Sequence, residues 1–328
     1  MSAQENKGRG CLKISCMGCL LLIGLSVLGT AASFFIITSG PSVERDRDFE
    51  LAEVEWSDAE ILQGDEIVLP PIVVSPDHPD ASGSLLDPGA MPTGRVELEL
   101  KFGQFYVEPA EPGAPPSVEA RFDEENFRLE ERLQTRPDGS WVYRVSFDKR
   151  KSIFSTNEAD NRVTVRLPRD RFFELVGDLG MGESRLDLGG LAMTRIGLEA
   201  GMGSHSVHFS DPLTRPLESL TLKSSMGEVL LNRVGNASPA RLDVGHRMGK
   251  LELDLRGQWQ NDSRISGRLT MGELRYRAPD YVNIDASGVR ATMGERFVDP
   301  EIRGRDADPA LPTLKLEGSV FMGSIDVR

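Results

Sequence analysis

Eight of the eleven methionines in this 328-residue chain are each followed by glycine, Met17 near the N-terminus and seven in the second half. The seven pairs of the second half are Met181-Gly182, Met202-Gly203, Met226-Gly227, Met248-Gly249, Met271-Gly272, Met293-Gly294 and Met322-Gly323. Thioether sulfur is a soft donor, so a file of methionines raises copper or haem ligation as one chemistry. The spacings favour a different role, because they run 21, 24, 22, 23, 22 and 29 residues. A fixed period of roughly 20–50 residues marks a repeat architecture. Each methionine also sits among apolar neighbours in constant phase. We therefore expect the thioethers to stack in the interior, one per repeat, where an adaptable side chain fills gaps. The fourteen Met and Gly residues are structural repeat positions. No catalytic, cofactor-binding or metal-binding residue is assigned.

Other reactive groups are sparse. His205 and His208 form the one close histidine pair, but strand alternation turns His205 inward and His208 outward, so they do not converge on one ion. Cys11, Cys16 and Cys19 lack a fourth ligand for a zinc site. Near a membrane, cysteines of this kind are acylation candidates. Asp243, Glu252, Asp254, Arg247, Arg275 and Arg277 fall at outward positions, where charge solvates a sheet. A glycan-cleaving enzyme would instead need a cleft with paired acids. No nucleophile elbow or phosphate loop is present in the sequence. The expectation is a non-enzyme without cofactor.

The elements that carry these residues follow from alternation. Counting each Met as zero, apolar or small residues recur at −6, −4 and −2 and again at +3, +5 and +7. Around Met248 these are Leu242, Val244, His246, Leu251, Leu253 and Leu255. Around Met202 they are Ile196, Leu198, Ala200, His205, Val207 and Phe209. A period of two is a strand with one buried face. The phase reverses once per repeat, at Met-Gly, as a corner would require, and glycine permits the unusual φ a corner often needs. Such units bury their apolar faces only by stacking. The fold class is all-β: a β-solenoid of about seven Met-Gly repeats of ~22 residues over 176–328, preceded by an N-terminal β region over 95–175. The phase weakens around Met293 and the last interval lengthens, as expected of a capping end.

The first hundred residues are of another kind. Ile14 to Ile37 is uncharged, and we read 14–38 as a transmembrane anchor in contact with the lipid bilayer. Lys7, Arg9 and Lys13 precede it, so residues 1–13 should be cytoplasmic and the bulk periplasmic or extracellular. This makes a single-pass protein, expected in a bacterial inner membrane. Residues 39–94 form a Pro-rich linker. Within it, residues 41–90 carry 13 acids against Arg45 and Arg47, so most of the chain's net charge of −13 sits there. Such a segment behaves as an extended tether. The acidic balance also argues against nucleic acid as a partner.

The stretches LDLGGLAMTRIGLEAGMGS, LTLKSSMGEVLLN and LDVGHRMGKLELDLRG, with VTVRLP before them, resemble the bacterial toast-rack and adhesin-like β-solenoid domains. They are similar to the C-terminal domain of the membrane protein that responds to cell-wall-active antibiotics. The resemblance spans about residues 95–328. It implies a non-enzymatic module of the cell envelope that senses envelope stress or binds a protein or other envelope partner. A self-associating scaffold or adhesin is the alternative, and a polysaccharide-acting β-helix enzyme a more distant one.

Overall fold

The computed structural model describes residues 94–150, 161–304 and 306–328, and the backbone of a three-residue strand, β1 (Asp46–Asp48). The expected cytoplasmic segment, the anchor over 14–38, the three cysteines and nearly all of the linker lie outside these residues. No helix among the described residues is long and apolar enough to cross a membrane. The described part is all-β, with one short α-helix and one 3-10 turn (Val234–Asn236).

Six long strands make the body: β2 (Gly94–Pro109), β7 (Phe173–Asp187), β8 (Met193–His208), β9 (Ser219–Asn232), β10 (Arg241–Asp254) and β11 (Ser263–Arg277). They stack in parallel in that order, and β14 (Thr313–Val327) follows β11. Register is strict. Met202 lies beside Met226, Met226 beside Met248, Met248 beside Met271 and Met271 beside Met322.

Each long strand runs unbroken through its Met-Gly corner, and glycine is the reason. Gly249 sits at φ +125°, where an L side chain is strained, and a Cβ placed there would lie 1.9 Å from the Gly227 carbonyl oxygen. Gly227 meets Gly203 in the same way, so the corner is a column of backbone against backbone. An eighth corner, without methionine, joins the column. Phe102-Gly103 of β2 lies beside Met181-Gly182 of β7, and Gly103 has φ +143°. The stack therefore runs on without a break across residues 175–176, a boundary that falls inside β7.

The two ends are closed differently. At one end β5 (Trp141–Lys149) flanks the first half of β2 and β6 (Arg162–Leu167) flanks the second half. Antiparallel β4 (Phe127–Thr135) and β3 (Ser117–Arg121) cover these, and β1 pairs with β3. β1 lies within the expected linker, so that segment contains a strand contact that its breaker-rich sequence did not announce. Phe105, Phe122 and Phe127 cluster on Phe147, so the few aromatics are concentrated at this end. At the other end the chain order is broken. β12 (Asn283–Asp285) and β13 (Arg290–Val298) lie outside β14, so the last strand is threaded between β11 and β13. The 29-residue interval before Met322, which contains the short α-helix α1 (Pro300–Gly304), is the return path. The last strand is thus not the terminal rung, and the cap expected at the C-terminus is β12 with β13.

The inward positions read from the alternation are the core. Leu242, Val244, Leu251, Leu253 and Leu255 are all fully buried. The interior is not wholly apolar: Ser184, His205, Ser224 and His246 line it near the corner.

Candidate functional site

The methionines face outward, contrary to the interior column expected above. All seven methionines of the repeats are exposed, from 38% for Met181 to 47% for Met202 and Met293, whereas Met193, which precedes no glycine, is fully buried. Extending the alternation from −2 puts the methionine inside, but extending it back from +3 puts the glycine inside. The corner absorbs one extra residue, and in β10 both Arg247 and Met248 turn outward. The result is an apolar ridge along one edge of the stack, with one thioether per rung at the strand spacing of about 4.8 Å. Exposed apolar strips of this kind mark interaction surfaces, and methionine adapts to varied partners.

A groove of about 680 Å³ runs beside the ridge. Its walls come from the −3 and −1 positions of successive rungs. Lys223, Arg247 and Arg268 line it, with hydroxyls from Ser225, Thr270, Thr292 and Ser319 and the exposed ring of Phe321. Gly245 leaves a notch, because a Cβ there would meet nothing within 4 Å. Lys223 approaches Glu199, also in the lining, at 3.6 Å. Neither Arg247 nor Arg268 has a carboxylate within ion-pair distance among the described residues. Of these residues only Arg247 stood out in the sequence. The signal for the others was their outward phase at −3 and −1, which we read as plain solvation.

Two of the other outward charges are occupied. Glu252 is nearly buried and is gripped by Arg277 at 2.5 Å and Lys250 at 3.1 Å, with Arg275 at 3.9 Å. Asp254 is nearly buried and takes Arg256 at 2.7 Å. Burial pushes the Asp254 carboxyl up, but the Arg256 hydrogen bonds outweigh it and hold the group below the usual range. These residues were expected to solvate the sheet; instead Glu252 ties β10 to β11 through Arg277 and Arg275, and Asp254 is held by Arg256 of its own rung. Asp243 is half-exposed, as its phase required.

His205 points inward and His208 does not, as the alternation predicted. The surprise is a different neighbour. His246, two rungs away, shares the interior with His205, and its charge opposes protonation there. Burial first, and then His246, hold the His205 imidazole down at about 4. Ser184 hydrogen-bonds His205 Nδ1 at 2.9 Å. His205 Nε2, His246 Nδ1 and Ser224 Oγ have no hydrogen-bond partner among the described residues. Sequence separation hid this cluster, which only in-register stacking assembles.

The stacked rungs and their glycine corners define a class, and the family comparison agrees with it. Residues 82–218 match the N-terminal domain of toast_rack, so over the stretch from β2 through β8 the toast-rack resemblance read from the repeats is met. Two solved structures are similar at 12% identity. One is a candidate cell adhesion protein of Clostridium sporogenes, covering 74% of this chain and 95% of that one with a TM-score of 0.37. The other is a candidate adhesin of Bacteroides fragilis, covering 73% and 93% with a TM-score of 0.35. No curated protein matches the chain.

Proposed function

We propose that this chain is a membrane-anchored, non-enzymatic binding module of the bacterial cell envelope. Its N-terminal span holds it in the bilayer, its acidic linker spaces the stack away from an anionic surface, and the methionine ridge with its groove meets an envelope partner. The carrying observation is the ridge itself: seven in-register side chains of one apolar type, each about two-fifths exposed or more. The toast-rack match over residues 82–218 supports a binding or adhesin-like role. The absence of an enzymatic role is supported by the outward acids, since Glu252 and Asp254 are held by cations and do not form a free pair.

The test is site-specific photocrosslinking in intact envelopes. A photoreactive residue in place of Met248 should give a discrete adduct with a second species. The same residue in place of Glu130, exposed on β4, should not. Adducts only with other copies of the chain would establish the self-associating scaffold instead, and equal adducts at both positions would remove the ridge as the binding face.

A further inference from the structure

We infer that the groove beside the methionine ridge is a site for a linear phosphate-bearing polyanion. The inference deepens the binding role proposed above by naming the chemistry of the ligand. Lys223, Arg247 and Arg268 come from three successive strands, β9, β10 and β11, and line one continuous groove. Neighbouring strands lie about 4.8 Å apart, so the cations recur at intervals short enough for one extended chain to meet several of them.

The cations of the groove are also open to a ligand. Several guanidiniums on the outer faces are neutralised: Arg144 by Glu97, Arg195 by Glu174 and Glu218, Arg264 by Glu317 and Arg277 by Glu252. In a chain with 13 more acids than bases, Arg247 and Arg268 line one groove with no carboxylate within ion-pair distance of either among the described residues. The row continues past Ser319 to exposed Arg290, its partner in register on β13. Glu199 sits at the other end of the groove, where it faces Lys223.

The donor set selects the anion. Guanidinium binds phosphate through paired hydrogen bonds, and four hydroxyls, Ser225, Thr270, Thr292 and Ser319, line the same groove. That is more donors than a planar carboxylate with two oxygens uses. Gly245 keeps the middle of the groove open between Lys223 and Arg268, its neighbours in register.

The test is calorimetric titration of the full chain in neutral detergent at low salt, with inorganic tripolyphosphate and orthophosphate as probes. Tripolyphosphate should bind at least tenfold more tightly than orthophosphate. Arg247→Gln and Arg268→Gln should each weaken it by about tenfold, the loss expected for one charge-assisted contact. Gly245→Ala should weaken it too without unfolding the chain, since a Cβ there meets nothing within 4 Å. Arg264→Gln, which is outside the groove, should leave affinity within twofold. Equal binding of the two probes, or equal losses from Arg264→Gln and Arg268→Gln, would overturn the site. Polyglutamate bound as tightly as tripolyphosphate would overturn the choice of phosphate. Capture by phosphatidylglycerol vesicles without any binding of tripolyphosphate would assign the cations to a membrane surface instead. These titrations require neither a partner nor a membrane orientation, so their failure leaves the crosslinking result standing, and the converse holds.

Discussion

Gly249 bears the corner of β10, and its replacement by valine should be the most damaging single change in that rung. The new Cβ would collide with the Gly227 carbonyl in a backbone conformation that L residues avoid. We expect a loss of more than about 3 kcal/mol in urea unfolding, against under about 0.5 kcal/mol for Asp243→Asn at a solvated position. A second residue-scale prediction concerns acid. The His205 imidazole titrates near 4 in the folded protein, below the ordinary histidine range near 6.5. Its neutral form is therefore favoured by folding. That contribution is present above about pH 6.5 and is lost as pH falls towards 4, by roughly 3 kcal/mol in total. His205→Leu should flatten the stability profile over that interval relative to the parent, and an unchanged profile would contradict the buried placement. The glycine role at the corner was legible in the sequence from the phase reversal. The direction of Met248 was not, because a corner that absorbs one residue satisfies the alternation from either side. The His205–His246 relation was not legible either, since 41 residues separate two side chains that stacking brings into one interior.

At the scale of elements, the position of β14 is the sharpest departure from chain order. It pairs with β11 on one side and with β12 and β13 on the other. Repeat spacing located the strand itself, and Leu314, Leu316, Ile325 and Val327 on its inward face are all buried. The insertion was invisible because every rung offers the same edge to its neighbour. The lengthened interval before Met322 was its one trace, and it read equally well as the irregularity of a cap. Hydrogen exchange distinguishes the two arrangements. Backbone amides of Thr313–Val327 should exchange as slowly as those of β10, and those of β13, a terminal strand with exposed Glu295 and Arg296, should exchange much faster. Faster exchange in β14 than in β13 would return the last strand to the end of the stack. Phe102-Gly103 teaches a related lesson: the eighth corner went unseen because the motif was defined by methionine, whereas the backbone requires only the glycine.

At the scale of the whole molecule, charge and exposure divide the labour. Most of the acidic excess lies in residues 41–90, and the folded stack holds Glu252 and Asp254 in ion pairs, leaving a ridge of thioethers and a basic groove facing outward. With no cysteine beyond Cys19, orientation is open to a clean test. Lys315→Cys, at an exposed site on β14, should react in whole cells with a maleimide that cannot cross the inner membrane, once any outer membrane is permeabilised. Cys11, Cys16 and Cys19 should stay unlabelled, and the reverse pattern would invert the proposed topology. The central claim is that the methionine ridge faces outward and is the surface a partner covers, and oxidative footprinting with hydrogen peroxide tests it most directly. In the purified chain Met181, Met202, Met226, Met248, Met271, Met293 and Met322 should all convert rapidly to sulfoxide, while buried Met193 resists. In intact envelopes the ridge methionines should slow by at least fivefold. Ridge methionines as resistant as Met193 in the purified chain would contradict the outward ridge, and equal rates in the two settings would contradict its role as the binding face.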